Sequence, residues 1–92
     1  MEEHQNYNIN LDVKYGHQEL IDIREVVRQN KESWFNQTLT QVNDSVVRIG
    51  IIEGEFHWHH HDMEDEFFLC VSGKLILDVE DRTYEILPGQ GF

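Results

Sequence analysis

The chain has 92 residues, 39% hydrophobic and 11% aromatic, with 18 acidic against 7 basic side chains and a formal net charge of −11. That apolar content suits one small globular domain and argues against intrinsic disorder, although a chain of this length buries only about 60–65% of its unfolded surface and gains from a metal or a partner surface. The negative charge argues against nucleic acid and anionic membranes as partners, and the single cysteine, Cys70, excludes an intrachain disulfide and fits a reducing compartment.

The chain opens on a loose, polar, acidic tail over residues 1–5, with no signature of a secretory leader. No apolar run anywhere approaches the roughly 18 residues that would span a bilayer, so a cytoplasmic protein is expected. Residues 8–15 alternate, with Ile9, Leu11, Val13 and Tyr15 on one face, which predicts a short strand ended by Gly16. Over residues 18–30, Leu20, Ile23, Val26 and Val27 recur at helical spacing, which predicts an otherwise polar helix with a narrow apolar stripe. Trp34 and Phe35 are expected in the following loop, anchoring the helix.

From Thr38 the hydrophobic period is two. Strands are predicted over 38–42 and 45–53, with a turn at Asn43-Asp44, then over 56–61, 66–71, 74–80 and 83–87. The breaks between them, at Gly54, Asp62 to Asp65, Ser72-Gly73 and Asp81-Arg82, all carry turn-forming residues. Leu75, Leu77 and Val79 share one face of a half-buried strand. The strand from Glu66 is apolar on both faces, with Phe68 and Cys70 on the Glu66 side and Phe67, Leu69 and Val71 on the other. Such a strand needs cover on both sides, which points to a homodimer. No internal repeat or low-complexity segment interrupts the pattern.

The chemistry concentrates in residues 54–73, GEFHWHHHDMEDEFFLCVSG. His59 and His61 are two apart, so on a strand they share a face at a spacing of roughly 6.5 Å. A turn over residues 62–65 would return Glu66 to the same face. Two neutral imidazoles and one carboxylate suit a divalent transition metal with open positions for water or substrate, with Zn, Fe, Mn, Ni and Cu all compatible. His57 lies about 13 Å from His61 along a straight strand and is assigned to the rim, whereas His60 points to the opposite face. Cys70 is read as a core thiol, residues 62–65 as a solvated acidic turn, and Asp65 as a candidate to orient a ligand histidine. Trp34, Phe56 and Trp58 are read first as core, with Trp58 able to wall a pocket. His4 and His17 sit in polar surroundings and carry no signal.

This stretch resembles the first motif of the cupin superfamily, G-X5-HXH-X3,4-E-X6-G. His59-His60-His61, four residues, Glu66, six residues and Gly73 match it fully, while Gly54 precedes His59 by four residues rather than five. WHHHDMEDEFFLCVSGKL is also similar to small single-domain cupins of the mannose-6-phosphate isomerase-like kind. The resemblance spans residues 42–92 and implies a mainly β fold: a cupin-like double-stranded β-helix, the jelly-roll barrel. With it come an N-terminal strand and helix segment over residues 1–37 and a barrel over residues 38–92. Leu87-Pro88-Gly89-Gln90-Gly91-Phe92 resembles the L-x-PG-x-x-F segment that precedes the second cupin motif. The histidine that usually completes the metal site would follow it, so the barrel is expected to be incomplete.

Two functions are open on this reading. One is a metal-dependent enzyme, isomerase- or dioxygenase-like, acting on a small organic or sugar-like substrate with His59, His61 and Glu66 as ligands. The other is a non-catalytic module for metal or small-ligand binding, or for dimerisation. A phosphosugar would call for Arg or Lys in the pocket, and residues 54–73 contain neither.

Overall fold

The computed structural model describes residues 8–54 and 65–92, within two compact units, Met1–His57 and Trp58–Phe92. The described chain is mainly β with one short helix, as its two-residue periodicity predicts.

In the first unit, β1 (Asn8–Asn10), β2 (Phe35–Val42) and β3 (Ser45–Ile51) form a sheet in that order, and α1 (Ile23–Gln29) lies between β1 and β2 in sequence. β1 runs parallel to β2, pairing Asn8 with Phe35 and Asn10 with Gln37. The expected eight-residue strand is thus split. Pairing stops after Asn10, the Gln37 side-chain amide donates to the Asp12 carbonyl at 2.6 Å, and backbone contact with the β2 segment resumes at Lys14 N to Thr38 O, 3.0 Å, and Tyr15 N to Leu39 O, 2.8 Å.

The helix is shorter than its apolar spacing predicts. Gln18 takes a left-handed φ of 62°, which a continuing helix forbids, and the Asp22 carboxylate accepts from the Glu25 amide at 3.1 Å. The first turn therefore begins at Ile23 and leaves Leu20 exposed outside the helix. Glu25 takes up Arg28 and Gln29 one turn on, and Val26 alone is buried.

Phe35, expected in a loop, opens β2, because pairing with Ile51 extends the hairpin three residues beyond the predicted start. Asn43 closes this hairpin at a φ of 55°, a conformation asparagine tolerates in two-residue turns. A register shift between Thr38 and Thr40 inserts Leu39 as an extra residue. Thr38 and Leu39 are each 2% exposed, so the irregularity sits at the best-covered point of the sheet.

In the second unit, β4 (Leu75–Val79) and β5 (Arg82–Ile86) form an antiparallel hairpin in full register from Leu75 opposite Ile86 to Val79 opposite Arg82. Leu75, Leu77 and Val79 are half-buried and alternate with exposed Ile76 and Asp78, as expected. The strand predicted over residues 66–71 survives as a short ladder. Phe68 and Phe92 exchange two backbone bonds at 2.8 Å, Cys70 N donates to Gln90 O at 2.9 Å, and Leu69 bridges Gly91.

Candidate metal centre

Glu66 is the one proposed ligand that lies among the described residues; His59 and His61 fall outside them, as do His57, Trp58 and His60. Glu66 precedes by two residues the Phe68–Phe92 pair, where the ladder fixes the chain. Its carboxylate is exposed, and no hydrogen bond or ion pair from another described residue engages it. Asp65 beside it is exposed too. Among the described residues there is no cluster of three or more His, Cys, Asp or Glu able to hold a metal ion.

Close packing of backbone at Gly91 sets the segment that carries Glu66. A Cβ built there would meet Phe67 Cζ at 2.7 Å and the Phe68 carbonyl oxygen at 2.9 Å. Only a residue without a side chain lets the Phe67 ring lie across this backbone. Upstream of it, Leu87-Pro88-Gly89-Gln90 makes a tight turn with Gln90 N donating to Leu87 O at 2.8 Å and Gly89 at a φ of 88°. Proline then positive-φ glycine is the signature of a type II turn. The Gln90 side-chain oxygen also accepts from the Leu87 amide at 2.9 Å. The turn delivers Phe92 to Tyr84, their ring centroids 4.8 Å apart, with the Arg82 guanidinium 5.0 Å from the other ring partner, Tyr84.

Burial alternates along the same segment. Cys70 is 6% exposed, whereas Phe67, Leu69 and Val71 are all more than half exposed. The thiol lies 3.6 Å from Ser72 O and 3.8 Å from Gly73 O, where it closes the turn into β4, which is the core role expected of it.

Sequence reasoning passed over Arg48. Pairing opposite Thr38 places it on one sheet face with Asn36 and Gly50. The guanidinium donates to Thr38 Oγ1 and Asn36 Oδ1. The signal was a run of polar residues at every second position of β2, facing an arginine on β3. With the predicted strand starting at Thr38, Asn36 falls outside it and the alternation is too short to read.

The description of a cupin domain matches residues 46–92, from β3 through the Leu87-Pro88-Gly89-Gln90-Gly91-Phe92 segment. The uncharacterized protein YdbB of Bacillus subtilis (strain 168) is 36% identical over 62 residues, covering 67% of this chain and 55% of that relative. The chain therefore spans about half the length of the curated relative it matches. No solved structure matches the chain significantly. No helix among the described residues is long and apolar enough to cross a membrane. With the domain match covering half of its residues and the fold mainly β, this chain belongs to the cupin family, whose architecture is the jelly-roll β-barrel.

Proposed function

We propose that this cupin binds one divalent transition metal through His59, His61 and Glu66 and presents it to a small organic or sugar-like ligand. The observation that carries the reading is the ligand spacing, two histidines two apart and a carboxylate five residues on, lying inside the matched domain. The donor set fits such an ion: two neutral nitrogen donors, one anionic oxygen, and a Glu66 carboxylate that no other described residue occupies. A metal bound there supplies Lewis-acid polarisation of a carbonyl, or a site for dioxygen, the two chemistries behind the isomerase-like and dioxygenase-like reactions proposed for it. The chain's own part is to orient two imidazoles and set a negative charge beside them. An isomerase of the mannose-6-phosphate isomerase-like kind would in addition need a cation for phosphate.

A cytoplasmic homodimer is proposed with it. Its support is the outer edge of β3, which pairs with no other strand of the described sheet, and the exposed apolar side chains of Phe67, Leu69 and Val71. Residues 8–15, the strand-like segment that would otherwise be the natural donor to a second copy, already bond to β2 of their own chain.

Elemental analysis tests the metal reading. The purified protein is expected to carry about one transition metal per chain, His61→Ala to lose most of it, and His60→Ala to keep it, because adjacent strand residues face opposite ways. Undiminished metal in His61→Ala would sink the assignment, and loss in a folded His60→Ala would shift the register by one. Light scattering at micromolar concentration should give twice the 11.0 kDa chain mass, and a folded monomer would refute the dimer.

A further inference from the structure

We infer that the first unit carries a second ligand site, for a small organic anion with an apolar body, between the C-terminal end of α1 and the start of β2. A cleft of about 340 Å³ opens there, within the roughly 300–1,000 Å³ of small-molecule sites. Val26 and Phe35 give it an apolar wall, and Lys14, Lys31, Gln29 and Asn30 line the rest. Val26 is buried and Phe35 half-buried, so the apolar surface is recessed while the lysines are exposed. The site lies outside residues 46–92 and shares no residue with the proposed metal ligands.

Charge decides the ligand class. The chain has three lysines, and two of them line this cleft in a protein of net charge −11. Among the described residues neither ammonium is ion-paired to a carboxylate and no hydrogen bond takes up Lys31, while the Lys14 ammonium lies 5.7 Å from the Tyr15 ring centroid. Among the described residues the one acid in the lining is Glu32. Asn8 Nδ2 donates to its carboxylate at 2.8 Å, and its backbone amide is held by the Asn30 side chain at 3.2 Å. Two cations against one already bonded carboxylate leave a positive balance. An inorganic anion would leave the Val26 and Phe35 wall unused, and a neutral apolar molecule would make no use of the two lysine charges at its rim. A carboxylate on an aromatic or short aliphatic body satisfies both, with the anion between the lysines and the body against the wall.

Phenylacetate and its uncharged isostere phenylacetamide are the probes, titrated into the full chain with a chelator present so that the outcome is separate from metal binding. Amide NMR signals of Gln29, Asn30 and Lys31 should move with phenylacetate while those of β4 and β5 stay in place. Phenylacetamide, which lacks the charge that both lysines would meet, should bind at least about tenfold more weakly, and Lys31→Glu, which replaces one of the two cations with a like charge, should lower phenylacetate affinity by at least about tenfold. Lys31 is exposed, so that substitution leaves the core intact, and Lys14→Met offers an independent second variant expected to bind several-fold more weakly. Equal binding of the two probes, no movement of those amides at millimolar phenylacetate, or unchanged affinity in both variants with wild-type circular dichroism would overturn the site.

Discussion

The two units solve the same problem, a β-sheet too small to bury much, with different chemistry. In the first, side-chain hydrogen bonds set the strand relations: Gln37 reaches Asp12, Arg48 spans Thr38 and Asn36, and Asn8 holds Glu32. In the second, backbone close approach does the work, with Gly91 under Phe67, Gly89 in a left-handed turn, and the Phe68–Phe92 amide exchange. Polar clasps tolerate small shifts because a side chain can follow its partner. The glycine contact adjusts less freely, since one of the atoms that would meet a side chain at Gly91, the Phe68 carbonyl oxygen, is on the main chain. The unit built on glycines is also the one that carries Glu66, the proposed metal ligand among the described residues.

This contrast is most easily broken at Gly91. Alanine there would put a methyl 2.9 Å from the Phe68 carbonyl, which is backbone, as well as 2.7 Å from Phe67. The ladder must open or the Phe67 ring must leave, and overpacking of this kind costs about 1–3 kcal/mol. Urea unfolding of Gly91→Ala should show a loss in the upper half of that range, and the variant should bind metal less tightly than the wild type. Gly50→Ala makes the control, because its nearest neighbour is the Asn36 side-chain nitrogen at 3.7 Å and φ there is ordinary. If both variants were equally stable, the glycine contact would not be what fixes the second unit.

Much of this was legible in the sequence, and the failures share a cause. The turn at Asn43-Asp44 is legible because it sits between runs of period two, so local pattern and turn chemistry agree, whereas the second turn falls at Glu80-Asp81, one residue before the expected Asp81-Arg82, because Arg82 already pairs with Val79. The helix was overextended because Leu20 fits the apolar stripe, while the left-handed Gln18 and the Asp22 cap that exclude it leave no trace in periodicity. Phe35 was placed in a loop because its strand partner, Ile51, lies sixteen positions away. The anchoring of residues 66–71 by Gly89 to Phe92 is equally non-local. The proposed metal centre rests on the spacing of His59, His61 and Glu66 in the sequence, and two of the three lie outside the described residues. The lysine cleft was not legible there, since Lys14 and Lys31 are brought to one cleft only by the fold.

Arg48 probes the clasped unit in the opposite sense. Arg48→Met removes the donors to Asn36 and Thr38 while keeping the length of the side chain. Thr38 is 2% exposed, so its hydroxyl would lose a partner where water cannot easily replace it. The expected loss is about 1–2 kcal/mol by denaturant unfolding. Thr38→Val in the Arg48→Met background should recover part of that loss, because the orphaned hydroxyl is then gone. No recovery would mean that Arg48 stabilises β2 and β3 through packing and not through the clasp.

The smallest effect separates the helix from the sheet within the first unit. Asp22 caps α1 through one hydrogen bond to Glu25 N at 3.1 Å, and the acidic side chain also suits the positive end of a helix. A seven-residue helix has few internal bonds, so the cap is a large share of what defines its start. Asp22→Ala is expected to cost about 1 kcal/mol locally. The readout is amide exchange: Glu25 and Val26 should exchange several-fold faster, while amides of β2 and β3 such as Thr38 and Ile49 should keep their protection. Faster exchange spread evenly over the sheet would show that α1 and the sheet unfold as one body. The lysine cleft would then be lost with the cap, because Val26 and Gln29 come from the helix and Phe35 from the strand. Retained protection in β2 would leave α1 as a separately adjustable wall of that cleft, able to move against Phe35 when a ligand enters.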